Sequence, residues 1–485
     1  MTETVHIEKV NESRIRILAD RGVLQEISDA FTFKVKGAEF QPAYRNRLWD
    51  GRIRLLDLRN STTYTGLTKK VMQFCMDRDY QVTCDQALGD EEFSLVEARK
   101  FVDDLSLPES IQDRDYQVEA FAQAVRDGRN VLLSPTSSGK SLLIYLLMRY
   151  YDAKTLIVVP TVTLVHQLAG DFVSYGFGAG EDEEVHKIFT GQEKDTLSKV
   201  TITTWQSVYK LPKHWFSQFG LIIGDEAHLF AAKSLVKIMD SLPNCGHRFG
   251  LSGTLDGTQV HELTLEGLFG PIRNVITTKE LMDQGYVAQL KIKCIVFNYG
   301  DVERKSVSKM EYSDEMDFLV GYAARNRFIK NLGMSLEGNT LILFQFVEKH
   351  GKILYDLMKD LDRKVFFIHG RVDGLERDEV RGIVEKEKDA IIIASYGTFS
   401  TGINIKNIHN LVLASPSKSR IRNLQSIGRA LRMSETKSSA TLYDLADDLS
   451  WKSRSNHTLK HFVERVKIYN EEGFEYKLYN VRLNP

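Results

Sequence analysis

Three consecutive segments constrain this chain most: Val131-Leu132-Leu133, then Ser134-Pro135-Thr136-Ser137-Ser138-Gly139-Lys140-Ser141, then Leu142 to Tyr150. An apolar run, a loop of small residues and a helix-forming run in that order predict a buried strand that turns through a phosphate-cradling loop into a helix. Small residues let successive backbone N–H groups face anionic oxygens, and the helix that follows adds the positive end of its dipole. Thr136, Ser137 and Ser138 would form the cradle, and Gly139 would leave room for the phosphate. Lys140 would neutralise terminal phosphate charge, and the Ser141 hydroxyl would ligate a bridging magnesium ion. Ser134 stands where the first glycine of this pattern usually lies.

A second segment completes the chemistry. Leu221-Ile222-Ile223 predicts a short buried strand, so Asp225 and Glu226 of Asp225-Glu226-Ala227-His228 fall at its carboxyl end, where open α/β sheets bind ligands. Asp225 is expected to hold magnesium through water, and Glu226 to orient and deprotonate an attacking water. An Asp-Glu pair alone is usually a solvated corner; its weight here comes from the phosphate loop upstream.

Short β-branched runs alternate with helical stretches from about Leu107: Val131 to Leu133, Thr155 to Val159, Val200 to Thr204, Leu221 to Ile223 and Phe249 to Ser252. A second series runs through Leu341 to Phe344, Val365 to Ile368, Ala390 to Ala394 and Leu411 to Ala414. The alternation predicts two parallel α/β domains. At 485 residues and 42% hydrophobic composition, the chain has material for several cores. The expected organisation is a small α+β domain over 1–88, a linker over 89–109, α/β domains over 110–290 and 291–450, and a helical extension over 451–485.

Lys plus Arg (64) balance Asp plus Glu (65), so any polyanion must be met by local patches. One candidate runs from Phe31 to Leu55, where Arg45, Arg47, Arg52 and Arg54 interleave with Tyr44 and Trp49. Arginines can pin phosphates while aromatic rings stack on exposed bases; a half-buried sheet with solvent-facing arginines reads equally well. Near the carboxyl end, Leu459, Phe462, Val463, Val466 and Tyr469 share one helical face, which is expected to be packing. The four scattered cysteines form no metal-spacing pattern and are expected to be reduced. No apolar run reaches the roughly 18 residues of a membrane span, so no membrane contact and a cytosolic location are expected, in the host cytoplasm if the chain is viral.

The motifs occur in the order found in superfamily 2 helicases and translocases, which the chain resembles over about residues 110 to 435. Arg114-Asp115-Tyr116-Gln117 resembles the adenine-reading motif, which implies nucleotide contacts from Arg114 and Gln117. Pro160-Thr161 and Thr203-Thr204-Trp205 resemble the first strand-contacting motifs, and Ser252-Gly253-Thr254 the coupling motif. Phe344 to Val347 looks like motif IV, Ser400-Thr401-Gly402-Ile403 like motif V, and Gln425-Ser426-Ile427-Gly428-Arg429-Ala430-Leu431-Arg432 like motif VI.

The resemblance implies two tandem RecA-like parallel-sheet domains forming a helicase core, with ATP and Mg2+ as cofactors. It implies Arg432 as arginine finger with Arg429 as partner, and Gly402 at the nucleotide. His228, Ser252, Thr254 and Gln425 would couple nucleotide state to strand contacts made by Pro160, Thr161, Thr204, Trp205 and Thr401. Trp49-Asp50-Gly51-Arg52-Ile53-Arg54 is similar to the amino-terminal region of phage recombination helicases, which implies branched DNA substrates: forks, Holliday junctions, displacement loops and RNA–DNA loops. Single-stranded DNA or an RNA–DNA hybrid, and single-strand-binding or recombination proteins, are the corresponding partners, and a monomer is expected. An RNA-directed helicase, a translocase that does not unwind, and a nucleotide-gated DNA clamp remain alternatives.

Overall fold

The computed structural model describes residues 3–35, 37–85, 92–178, 184–360, 362–370, 380, 382–401, 405, 407–433 and 437–483. The chain divides into two compact units, Met1–Ser134 with Gly139–Val275, and Ile276–Pro485 with the loop residues Pro135–Ser138.

The first unit contains a seven-stranded parallel sheet ordered Ile272–Asn274, Arg129–Leu133, His247–Ser252, Leu221–Asp225, Thr155–Val159, Val200–Thr204, Val185–Ile188. Its central strands are β-branched and buried on both faces, the composition a helix-covered parallel sheet requires. The helices Lys140–Tyr151 and Val162–Ser174 cover one face. Within the stretch expected to be a linker lies the helix Leu95–Asp104, started by a Ser94–Glu97 capping box. Its Phe101 stacks on Phe121 at 5.4 Å.

A four-stranded sheet ordered Thr62–Tyr64, Arg14–Leu18, Thr4–Lys9, Gln81–Cys84 precedes the large one, with its own core of Val5, Ile7, Ile15, Ile17 and Ile27. It is bonded firmly to the sheet behind it. Arg14 donates to both carboxylate oxygens of Asp240 at 3.0 and 3.1 Å. The buried Arg248 guanidinium donates to Ser13 Oγ at 2.7 Å and to the Met239 carbonyl at 3.2 Å. A Cβ on Gly66 would lie 1.9 Å from the Glu266 carbonyl oxygen, so only glycine permits this approach.

The second unit has another seven-stranded sheet, ordered Val365–Ile368, Ile391–Ser395, Thr340–Phe344, Asn410–Leu413, Ser439–Asp448, Gln289–Asn298, Tyr476–Arg482. All its pairings are parallel. Both tandem parallel sheets and the small domain ahead of them are therefore present. The carboxyl-terminal stretch differs from a purely helical extension. The helix His457–Glu471 carries the expected apolar stripe, with Phe462 and Tyr469 buried, and the chain then returns as the edge strand Tyr476–Arg482. Alternating side chains of that strand are mostly exposed, which hid it from an apolar-run reading.

Two buried ion pairs stiffen the second sheet. Arg325 donates to Asp447 at 2.8 and 3.1 Å, and Arg465 to Asp444 at 2.9 and 3.0 Å. Tyr299 and Tyr469 add hydroxyl bonds to the same carboxylates at 2.7 and 2.8 Å. No helix among the described residues is long and apolar enough to cross a membrane.

Candidate nucleotide and nucleic-acid sites

Three neighbouring strands bring the expected nucleotide residues to one edge of the first sheet. Arg129–Leu133 leads through the loop into Lys140–Tyr151, Leu221–Asp225 ends on Asp225, and His247–Ser252 lies between them. Ser134 N donates to the Ser252 carbonyl at 2.9 Å, fastening the loop's start to the coupling strand. Gly139 has φ 79°, and a Cβ there would lie 2.3 Å from Gln117 Nε2. That amide donates to the Gly139 carbonyl at 3.2 Å, and Gln117 Oε1 accepts from Arg114 N at 2.9 Å. Gln117 thus braces the loop directly, and the Arg114 backbone holds Gln117 in place. Ser138 Oγ donates to the Pro135 carbonyl at 2.7 Å, Ser137 takes φ 73°, and Thr136 lies between them in the turn. Lys140 Nζ reaches back to the Ser134 carbonyl at 3.1 Å.

Asp225 and Glu226 carry the site's strain. Burial first, and the neighbouring Glu226 second, lift the Asp225 carboxyl to about 6, while Lys140 acts the other way. Asp225 Oδ1 accepts from Glu226 N at 2.9 Å. Glu226 itself has φ 52° and ψ 53°, a left-handed conformation costing a non-glycine residue of order 1–3 kcal/mol. His228 Nδ1 lies 3.0 Å from Ser252 Oγ and 3.4 Å from Glu226 Oε2. Ser252 Oγ donates to the Thr254 carbonyl at 2.9 Å. His228, Ser252 and Thr254 are therefore joined by hydrogen bonds, with the Glu226 carboxylate within ion-pair reach of the histidine.

Three contacts escaped the sequence reading. The Ser141 hydroxyl lies 2.8 Å from the Tyr175 hydroxyl and also bonds the half-buried Asp171 carboxyl, which burial raises above its ordinary value. His261 Nε2 lies 2.7 Å from the His228 carbonyl oxygen. Asp171 and Tyr175 are four residues apart on a helix end, a spacing that is a faint signal without the fold. Among the described residues no cluster of three or more His, Cys, Asp or Glu could hold a metal. One hydroxyl and one carboxylate suit a hard ion that keeps most of its waters and takes phosphate oxygens, as magnesium does.

In the second unit, Gln425 and Arg429 stand one turn apart on the helix Arg420–Ala430, with Arg432 just past its end. Burial, and then the charge of Arg429, press the Arg432 guanidinium down to about 10. Two cations held this way suit an anion between them. Gly402 and the Thr401 side chain lie outside the described residues.

The residues expected to contact strands follow neighbouring strand ends in the first unit. Thr204 pairs in register with Val159, one residue before Pro160. Thr161 caps the helix Val162–Ser174 by accepting from Leu164 N at 3.3 Å, and the buried Thr204 hydroxyl meets Ser207 Oγ at 2.9 Å. The Thr161 hydroxyl thus caps its own helix, and the Thr204 hydroxyl already has a side-chain partner. Trp205 packs edge-on against Tyr209 at 5.7 Å.

In the amino-terminal region, Arg52 and Arg54 lie on a two-stranded ribbon pairing Thr32–Lys34 with Arg52–Arg54. Arg45, Arg47, Arg52 and Arg54 are all exposed. Arg54 is tied to Asp50 at 2.5 Å, Arg45 Nε donates to the Glu39 carbonyl at 3.2 Å, and Trp49 Nε1 donates to the Arg52 carbonyl at 2.7 Å. Phe40 and Leu48 stand 71% and 81% exposed beside them, while in the ribbon itself Thr32 and Phe33 are half-buried and Arg52 and Arg54 face solvent.

Family models match in three places: residues 5–85 match "DNA helicase UvsW, N-terminal", residues 110–257 "Type III restriction enzyme, res subunit", and residues 324–434 "Helicase conserved C-terminal domain". The ATP-dependent DNA helicase uvsW of Enterobacteria phage T4 is 37% identical over 97% of this chain and 98% of its own length. The chain belongs to the UvsW family of ATP-dependent DNA helicases. The crystal structure of T4 UvsW aligns over 99% of this chain and 100% of its own with a TM-score of 0.52 and 34% identity. More distantly, the DNA 3'-5' translocase XPB2 of Sulfurisphaera tokodaii is 24% identical over 68% of this chain and 82% of its own length. The UvsW match includes the amino-terminal sheet, whereas that of the translocase leaves about a third of the chain uncovered.

Proposed function

We propose that this UvsW-family chain hydrolyses ATP with Mg2+ to unwind or remodel branched DNA, such as forks, four-way junctions and displacement loops, in recombination, repair and replication restart. The observation that carries the reading is the end-to-end match to a DNA helicase, amino-terminal segment included. In this reading the phosphate loop from Thr136 to Ser141 binds the triphosphate, and Arg114 and Gln117 read the adenine. Ser141 and Asp225 hold the magnesium, which neutralises charge on the phosphates. Glu226 takes a proton from the attacking water, while Arg429 and Arg432 stabilise charge on the transferring phosphoryl group. His228, Ser252, Thr254 and Gln425 pass nucleotide state to the strand contacts of Pro160, Thr161, Thr204, Trp205 and Thr401.

The amino-terminal surface supports the branched substrate. Arg45, Arg47, Arg52 and Arg54 form a second basic site on a domain fastened to the first motor sheet through Arg14–Asp240 and Arg248–Ser13. A junction offers two arms at a fixed angle, which suits a motor with a second site held at a fixed distance. The test is ATP turnover and strand separation with single-stranded, duplex, forked and four-way DNA and with RNA. Forked and four-way DNA are expected to stimulate most; equal response to linear duplex, or preference for RNA, overturns the branched-DNA reading. Arg47→Ala with Arg52→Ala should weaken fork binding and flatten its salt dependence by about 0.7–0.9 in log–log slope per arginine. Arg54→Ala should do less, because Asp50 already neutralises that guanidinium.

A further inference from the structure

A cavity of about 350 Å³ opens in the second unit beside Gln345 and Lys418, where the neighbouring parallel strands Thr340–Phe344 and Asn410–Leu413 reach their carboxyl ends. Its walls come from three separate places: Tyr312 on the helix Tyr312–Gly321, Lys418 and Arg422 around the start of Arg420–Ala430, and His457 with His461 on His457–Glu471. None of these five is among the residues expected to contact nucleotide or nucleic acid.

The walls are locked together. Glu315, one turn from Tyr312, accepts from His457 N at 2.9 Å, Thr458 N at 2.7 Å and Asn456 Nδ2 at 2.9 Å, which joins two of them. Arg465, buried on Asp444, donates to the Ser417 carbonyl at 3.1 Å and so pins the segment that carries Lys418. The Tyr312 and His461 rings lie 5.0 Å apart at 52°.

The charge inside is one-sided. Arg420, between them in the chain, is tied to Glu471 and Glu472, yet no carboxylate of the described residues pairs with Lys418 or with Arg422, whose guanidinium lies 5.4 Å from the Tyr396 ring centroid. His461 Nδ1 is buried without a hydrogen-bond partner among the described residues. Burial first, then Lys418 and Arg465, press that imidazole down to about 4, with Glu315 acting the other way. A site with two cations, three rings and a volume at the low end of the ~300–1,000 Å³ of ligand pockets suits one phosphate with one aromatic base.

We propose that this cavity binds a nucleotide unit of single-stranded DNA, its phosphate held by Lys418 and Arg422 and its base against Tyr312 and His461. The inference rests on the DNA-motor reading and adds to it a base-stacking foothold on the second unit. Such a foothold grips any sequence, because every base has a π face and every nucleotide a phosphate.

The test uses the full chain. Binding of a thymidine oligonucleotide is followed by fluorescence anisotropy across a salt series for the wild type, Lys418→Ala/Arg422→Ala, Tyr312→Ala and Tyr312→Phe. The double variant is expected to bind on the order of tenfold more weakly, with a log–log salt slope shallower by about 0.7, the value for one neutralised phosphate on a single strand. Tyr312→Ala should weaken binding with an unchanged slope, and Tyr312→Phe should restore it. Photo-crosslinking of 4-thiothymidine oligonucleotide to the wild type should label Tyr312 or the 457–461 segment, a readout independent of whether any variant folds. Protection of that crosslink by millimolar thymidine monophosphate, with no competition by oligonucleotide, would assign the cavity to a free nucleotide and overturn the proposal. So would unchanged affinity and slope in both alanine variants while the wild type binds and unwinds DNA. A wild type that binds no DNA at all would instead sink the motor reading beneath it.

Discussion

The two seven-stranded sheets share an architecture and treat their polar groups in opposite ways. At the carboxyl edge of the first, strain and unfavourable charge are gathered in the loops: Glu226 sits at φ 52°, Ser137 at φ 73°, and Asp225 is crowded by Glu226 in partial burial. In the second, the strongest polar groups lie inside the fold as the satisfied pairs Arg325–Asp447 and Arg465–Asp444. The first sheet keeps Asp225 and Glu226 at its carboxyl edge, where the left-handed backbone and the raised carboxyl each count against stability. The second turns its charges into scaffolding. Strain at a site and satisfaction in a core are thus divided between two copies of one fold.

The largest expected effect breaks or keeps the catalytic half of this contrast. Lys140→Ala should abolish ATP turnover while retaining DNA binding. Arg432→Ala should bind nucleotide nearly normally and hydrolyse it roughly a thousandfold or more slowly, the scale of an arginine finger. Steady-state phosphate release with a nucleotide-binding assay separates the two. Hydrolysis at the wild-type rate in Lys140→Ala would remove the phosphate loop from the mechanism, and an unchanged rate in Arg432→Ala would leave that arginine structural.

Next comes the scaffold. Asp447→Ala leaves Arg325 buried without its carboxylate and takes a partner from the Tyr299 hydroxyl. Breaking a buried pair in this way costs about 3–5 kcal/mol. Thermal or urea unfolding should show the second unit melting well before the first. A loss below about 1 kcal/mol, the scale of an exposed pair, would mean that this pair is not the support the contrast requires.

What the chain's letters disclose divides along the same line. The phosphate loop, the strands Thr155–Val159, Val200–Thr204 and Val365–Ile368, and the carboxyl-end position of Asp225 are legible because each depends on a dozen contiguous residues. The bracing of Gly139 by Gln117, the contacts of Ser141 with Asp171 and Tyr175, and the hold of His261 on His228 join residues 22 to 34 positions apart. No local pattern encodes them. The fastening of Arg14 to Asp240 spans 226 positions, so an amino-terminal segment that reads as independent is bonded to the sheet behind it. The threonines teach a different lesson: Thr161 and Thr204 stand at strand ends as the motifs imply, yet each hydroxyl already has a partner. A residue type in the right place marks the site without revealing how many tasks the side chain carries.

The smallest expected effect sharpens the contrast from the side of the first sheet. Because burial and Glu226 raise the Asp225 carboxyl from 3.8 to about 6, the folded chain binds that proton more tightly than the unfolded chain does. Protonation therefore favours folding, so this group's contribution to stability declines as pH rises from 3.8 to about 6 and stays unfavourable above that. Asp225→Asn keeps the shape and removes the charge. Measured without magnesium at pH 7.5, it should raise the melting temperature of the first unit by roughly 2–4 °C, the shift about 1 kcal/mol gives a domain of this size. The same variant should lose ATP turnover, since an amide is a poor ligand for a hydrated cation. At pH 4 the two proteins should melt nearly together, because the wild-type carboxyl is then neutral as well. Equal melting temperatures at both pH values would show that Asp225 carries no electrostatic burden, and the first sheet would then hold its charges as comfortably as the second.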